Sequence, residues 1–275
     1  MDFLSALMAQ SSRNKVKGLL RHGLVSVDGV STTRYDYPLQ PGQEVRINKK
    51  SGPAFGNRQL QLVYEDDYLL VVNKSEGLLS ISTEREQEHT ARSILDEYLR
   101  RSGLRHGVYV VHRLDRDTSG LMMFCKSEEA QTELRSHWKE MVFDRRYVAV
   151  VNGSMEKDEG SIHSWLTDHK LYVSSSPYDD GGLESLTHYR CIRRGGGYSL
   201  LELRLDTGRR NQIRVHMQTI GHPVLGDGRY GDDDTPDPLG RLALHAFKLC
   251  FYHPITRQVL SFETPYPPSF KSICF

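Results

Sequence analysis

Short apolar runs alternate with charged punctuation along most of the chain, and the runs are too short and too rich in Val, Leu and Tyr for long helices. "DYLLVVNK", "VYVVHRL", "LMMFCKS" and "RYVAVVNG" each predict a short buried strand. "YSLLELRLDTG" alternates strictly, with Leu201, Leu203 and Leu205 on one face and Glu202, Arg204 and Asp206 on the other. Helices intervene. "SEEAQTELRSHWKEM" predicts one with Ser127 as N-cap, two glutamates in its first turn and an apolar stripe of Ala130, Leu134, Trp138 and Met141. "RRNQIRVHMQTIG" predicts a second, stopped by Gly221. Strands that alternate irregularly with few helices predict the α+β class, with a mixed, mainly antiparallel sheet.

The first 48 residues read as a separate module. "SSRNKVKGLLRHG" has Val16, Leu19 and Leu20 at helical spacing. "LVSVDGVST" is a strand, an Asp28-Gly29 turn and a strand, and "PLQPGQEVRI" closes the unit. "KKSGPAFGNRQ" then reads as a linker, placed over 49–60, with one large domain over 61–275. "GDGRYGDDDTPDPLG" is a polar, Gly/Pro-rich loop.

Charge changes this picture only locally. The whole chain carries a net +1, so no global field announces a polyanionic partner. Over residues 1–50, however, eight basic side chains face four acidic ones, and the polar residues of the first helix, Lys15, Lys17 and Arg21, are all basic. A solvated helix face would carry the same residues, but their concentration in so small a module favours RNA. The four cysteines are scattered and form no CxxC pair, which predicts reduced thiols. Neither a signal peptide nor an 18-residue apolar stretch is present, so no membrane span is expected and the cytoplasm is the expected compartment.

"VVHRLDRDTSGLMMF" carries the densest chemistry. Asp115 and Asp117 leave a strand end and enter a Thr-Ser-Gly turn whose hydroxyls are expected to fix the loop locally. Taken alone, the pair fits a nucleophile and an acid, two metal ligands, or an Asx-type turn with solvated carboxylates. In "TGRRNQIRVHMQ", Arg210 and Arg214 stand four apart and are expected on one helix face, and Arg209 and Arg210 stand at the helix N-terminus, where the macrodipole disfavours cations. That placement points to a nearby carboxylate or phosphate. Tyr147 sits in a strand behind two arginines. "NKSEGLLS" ends a strand in Lys74, and "GRLALHAFKLCFYHP" carries His245, read as a packing histidine.

These segments, in this order, resemble the RluA family of pseudouridine synthases from about Gln61 onward. "VHRLDRDTSGLMMFCKS" is similar to the family's catalytic signature, "LLVVNKSEGLLS" to its opening motif, "RRYVAVVNG" to its tyrosine strand, "TGRRNQIRVHM" to its arginine motif and "GRLALHA" to its C-terminal motif. The N-terminal module resembles an S4 domain, a small α/β RNA-binding unit. The resemblance implies the pseudouridine synthase fold and isomerisation of uridine without a cofactor or a metal. It implies Asp115 as the catalytic carboxylate, Arg214 as the cation that keeps it charged and Tyr147 against the uracil. Arg113 would fill the place of a flipped base. Leu244 would pack near that base, and Lys74 and Arg210 would contact RNA. Asp117 falls at a variable position and reads as a loop residue. Ser75 and Asn211 depart from the usual proline and histidine. The implied partner is RNA, ribosomal ahead of transfer RNA, and the expected state is a monomer. Two alternatives stand beside this reading. "DRDTSG" also fits the DxDxT pattern of Mg-dependent phosphatases of the haloacid-dehalogenase type, with "GDDD" as further metal carboxylates, and the basic module alone fits a non-catalytic RNA-binding protein.

Overall fold

The structure is a computed structural model. It describes the chain except residues 1, 9–12, 22–23, 48–54, 84–87, 103, 105–106 and 232–236. Half of the expected linker, 49–54, therefore lies outside the described residues, as do the three aspartates of "GDDD". The chain divides into two compact units, and the segments 74–80 and 113–122 belong to the second although their neighbours belong to the first.

The first unit opens with α1 (Asp2–Leu7) and α2 (Arg13–Arg21), followed by β1 (Val25–Val27), β2 (Val30–Ser31) and β3 (Val45–Ile47) in the order β2-β1-β3. Leu4, Val16, Leu20 and Val25 form a small buried cluster among α1, α2 and β1, so the predicted helical spacing faces inward. Asp28 and Gly29 both adopt positive φ, as the tight turn between β1 and β2 demands. The chain continues through β4 (Leu60–Glu65), β5 (Leu69–Lys74), α3 (Ala91–Arg101), β6 (Tyr109–Val110), β7 (Ser119–Cys125) and α4 (Glu128–Ser136). Ser127 Oγ accepts from the Ala130 amide at 3.2 Å, so the predicted N-cap is in place. The helix is shorter than expected, because it breaks at His137.

A short α5 (Trp138–Met141) opens the main part of the second unit. There follow β8 (Val142–Asn152), β9 (Glu159–Asp168), β10 (Val173–Ser176), β11 (Leu183–Gly195), β12 (Tyr198–Leu205), α6 (Gln212–Thr219), β13 (Leu244–Tyr252), β14 (Val259–Glu263) and α7 (Pro268–Ser272). The strand order is β10-β9-β11-β12-β8-β13, with β14 also on β13. Every pairing in this series is antiparallel. The start of β7 joins β13 in parallel, His245 opposite Ser119. The sheet is thus mixed and mainly antiparallel, as the alternation predicts. Gly120 shows why that parallel contact needs its sequence: at φ +120° an added Cβ would lie 2.2 Å from the Ala246 carbonyl oxygen.

Candidate active site

The 113–118 loop is held from below by the end of β5. Lys74 is 1% exposed, and its ammonium donates to the carbonyls of Ser75, Leu78 and Arg116 at 2.9, 2.8 and 2.9 Å. All three of its protons are committed inside the protein. The expectation that Lys74 contacts RNA is therefore corrected: its charge is spent closing a backbone cage. Burial pushes the ammonium down to about 8, against the pull of Asp117 and Asp115. Ser80 adds a second tie, donating to the Leu114 carbonyl at 2.6 Å and accepting from the Leu114 amide at 3.2 Å.

The turn hydroxyls behave differently from expectation. Thr118 Oγ1 is buried without a hydrogen-bond partner. Ser119 Oγ faces β13 instead of its own loop, 2.8 Å from His245 Nδ1, and accepts from Arg241 Nη2 at 2.7 Å. Arg241 also pairs with Glu76 at 2.7 Å. His245 completes its bonding at Thr264 Oγ1, 2.9 Å away. Burial pushes its ring down to about 4, so it is the neutral packing histidine the sequence suggested.

Above this base the reactive side chains gather. The Asp115 side chain is 24% exposed, and its Oδ2 lies 3.9 Å from Arg214 Nη1. Burial pushes its carboxyl up, while Arg214, Arg113, Arg210 and Lys74 pull it down, and the net direction is upward. Tyr147, on β8, is buried; burial drives its phenol up, Arg145 opposes that and Asp115 reinforces it. The phenol is thus protonated at neutral pH, which suits a stacking or donating group better than a base. Arg113 and Asp117 are exposed. Arg113 makes no hydrogen bond or ion pair among the described residues. Leu244 is buried at the start of β13, beside Ala149 of β8.

The arginine motif is the main correction. Asn211 takes the left-handed conformation, φ 53°, and α6 starts only at Gln212. Arg209 and Arg210 precede the helix, so Arg210 and Arg214 do not share a helix face. Arg210 pairs with Asp168 at 2.6 Å and donates to the Lys170 carbonyl at 2.8 Å, both around the end of β9. Arg214 has a second, closer carboxylate that sequence reasoning missed. Asp227 accepts from Arg214 Nε and Nη2, each at 2.7 Å, and its side chain is 0% exposed. It also accepts from the Arg229 and Tyr230 amides at 3.0 Å. Burial pushes the Asp227 carboxyl up, but the Arg214 guanidinium outweighs this and holds it below the usual carboxylate range. Asp227 sat in the segment read as a polar loop, and Gly/Pro-rich composition gives no sign that one of its carboxylates is buried. Around α6, Gln212 bonds Thr207, Leu186 and Thr187, and His216 lies between Ser164 and Thr187. Lys17 is exposed on α2, whereas the side chains of Lys15 and Arg21 lie outside the described ones. Among the described residues no cluster of His, Cys, Asp or Glu could hold a metal ion.

The family model for RNA pseudouridylate synthase matches residues 68–219, which span Lys74, the 113–118 loop, Tyr147 and Arg214. The chain belongs to this family. A second model, the S4 domain, matches residues 1–45. The chain is 34% identical over 273 residues to a Bacillus subtilis protein named an uncharacterized RNA pseudouridine synthase, covering 96% of this chain and 89% of that one. It is 32% identical over 283 residues to the ribosomal large subunit pseudouridine synthase D of Nitrosomonas europaea, covering 98% and 81%. Among solved structures, human RNA pseudouridylate synthase domain containing 1 aligns with a TM-score of 0.62 at 26% identity, over 79% of this chain and 89% of that one. The pseudouridine synthase is therefore an enzyme of RNA modification with an N-terminal S4 RNA-binding domain, and the phosphatase and non-catalytic alternatives fall. No described helix is long and apolar enough to cross a membrane.

Proposed function

We propose that this synthase isomerises uridine in ribosomal RNA, with Asp115 as the catalytic carboxylate. The observation that carries the reading is the recessed Asp115 carboxyl facing a guanidinium at 3.9 Å on a loop closed by Lys74 and Ser80. Breaking the glycosidic bond and rejoining the uracil through carbon conserves every atom and needs no electron acceptor. One ionised carboxylate suffices. Arg214 offsets the burial that would neutralise it, Tyr147 lies against the uracil, and Leu244 lines the base's pocket. The base leaves its stack at a cost of about a few kcal/mol, and the exposed Arg113 takes the vacated place. Arg210 lends positive charge to the same region. Lys15, Lys17 and Arg21 of the S4 domain bind the RNA. Ribosomal RNA is favoured over transfer RNA by the relatives named for the large ribosomal subunit. The same proposal divides the chain at 1–48, 49–60 and 61–275 and has it act as a cytoplasmic monomer.

Carbodiimide labelling and primer extension on RNA from cells lacking the protein test this directly. One or more stops in ribosomal RNA should vanish and return with the wild-type chain and with Asp117→Asn, but not with Asp115→Asn. Unchanged ribosomal RNA would refute the substrate, and activity in Asp115→Asn would refute the chemistry.

A further inference from the structure

Arg214 is held by more bonds to its surroundings than to the carboxylate it is expected to serve. Its Nε and Nη2 fork is closed on Asp227 at 2.7 Å on both arms. Nη1, the arm nearest Asp115, donates to Asn211 Oδ1 at 3.2 Å. The Tyr230 ring lies 5.1 Å from the guanidinium carbon. Each of these partners is fixed in turn. Asp227 is anchored by two backbone amides, and the Tyr230 hydroxyl accepts from Asn211 Nδ2 at 3.1 Å and from the Val173 amide at 2.8 Å. The gap of 3.9 Å between Nη1 and Asp115 exceeds hydrogen-bond range. A guanidinium free to move would close that gap and make a bidentate pair, the strongest arrangement open to it. Such a pair would occupy the lone pairs with which Asp115 must act.

We propose that Asp227, assisted by Asn211, is a positioning residue that holds Arg214 back from Asp115, so that the arginine lends charge to the carboxylate without hydrogen-bonding it. Asp227 does not touch substrate; it acts through Arg214. The inference rests on Asp115 as the catalytic carboxylate. The other charged or titratable groups facing Asp115 are Arg113 on its own loop, Lys74 at the end of β5, Arg210 ahead of α6 and Tyr147 on β8. Among the described residues none of them hydrogen-bonds Asp227, so a change at Asp227 reaches the hydrogen bonding of Asp115 by way of the guanidinium.

The test uses the full chain and in-vitro transcribed ribosomal RNA carrying uridine tritiated at carbon 5, with tritium release as readout across pH. Asp227→Asn removes the charge that retains the fork. Arg214 then swings onto Asp115. We expect kcat to fall by about 10- to 100-fold with KM nearly unchanged. The acidic limb of the kcat profile should move down by about one pH unit, because a directly paired carboxylate holds its charge to lower pH. An acidic limb that moves up, or a wild-type kcat and profile, overturns the inference. Should Asp227→Asn fail to fold, Asn211→Ala frees Nη1 while keeping the Asp227 fork. Its limb should move in the same direction by less, and a limb that stays or rises overturns the inference equally. Asp115→Asn is the control that separates the two readings. If it retains activity the proposed function fails, whereas an inactive Asp115→Asn beside an unperturbed Asp227→Asn sinks only the positioning role.

Discussion

Replacing Lys74 by Met would test whether the opening motif acts as a lock for the catalytic loop. The two side chains are of similar length, so the tunnel stays filled and only the ammonium is lost. Three carbonyls, of Ser75, Leu78 and Arg116, then lose their donor. Stranding a buried acceptor costs about 1–3 kcal/mol. Removing a buried charge returns several kcal/mol of desolvation. The net loss at pH 7 is therefore modest, about 1–3 kcal/mol. The pH dependence is sharper. Burial sets the folded ammonium at about 8, against 10.5 as its ordinary value. Below pH 8 both folded and unfolded wild type hold this proton, and the folded chain bears the cost of the buried charge. Between pH 8 and 10.5 the unfolded chain binds more protons, so wild-type stability gains with rising pH, by about 3 kcal/mol at about 1.4 kcal/mol per unit. Lys74→Met has no such gain. Its deficit against wild type should widen from pH 7 to pH 10.5, read as a growing gap in Tm at matched salt. A gap that is constant or narrows with pH would refute the lowering of the ammonium by burial, since the three carbonyls would then be holding the proton more tightly than burial expels it. Activity on transcribed RNA should fall in the variant at every pH, because the loop carrying Asp115 loses its tie at Arg116.

Other substitutions probe different supports. Gly120→Ala would drive a Cβ into the Ala246 backbone at a φ that L-residues avoid, so the variant should lose about 4 kcal/mol or more, seen as insoluble chain or a collapsed Tm. His216 and His245 are both held near 4 by burial, below their ordinary 6.5. The stability they contribute is complete above pH 6.5 and is lost as pH falls through 4, about 3 kcal/mol for each. A Tm profile flat from pH 7 to pH 4 would contradict that burial, and His245→Asn should flatten part of the acid slope. Asn211→Val forces a β-branched residue into left-handed φ and removes bonds to Tyr230 and Arg214. A loss of about 2–4 kcal/mol by denaturant unfolding is expected, and a neutral effect would place α6 in a different start.

Much of this was legible in the sequence because alternation is a local signal. Leu201 and Leu203 are buried and Arg204 exposed, as the pattern of β12 requires, and the Asp28-Gly29 turn and the Ser127 cap each follow from residue type. The candidate site was half legible. Asp115, Tyr147 and Arg214 do converge in one unit, but the reasons for their order are not local. Asp227 becomes a partner of Arg214 only because the chain folds its loop back under α6. Lys74 looked like a surface cation because nothing in "NKSEG" says that three carbonyls will surround it. The start of α6 was misjudged because Asn211 leaves helical φ while the apolar period runs on past it. The break at His137 likewise interrupts a continuous periodic stripe. Helix α3 was passed over, though Thr90 and Ser93 form its capping box and Ala91, Leu95 and Leu99 its buried face.

The place of β13 has a consequence for how the chain must be made. β7 and β8 are close in sequence, yet β13, synthesised about a hundred residues after β8, lies against both the start of β7 and the length of β8. A growing chain must keep those two edges apart until β13 emerges. Unpaired edges of buried, apolar strands are sticky templates, and contacts this distant in sequence form slowly. Refolding from denaturant should accordingly be slow and sensitive to concentration, and ribosomes stalled before residue 252 should carry a chain that engages holding chaperones and has no activity on RNA. The central strand of the sheet is thereby a checkpoint in time: the enzyme cannot begin to modify RNA until Tyr252 at the end of β13 has been translated.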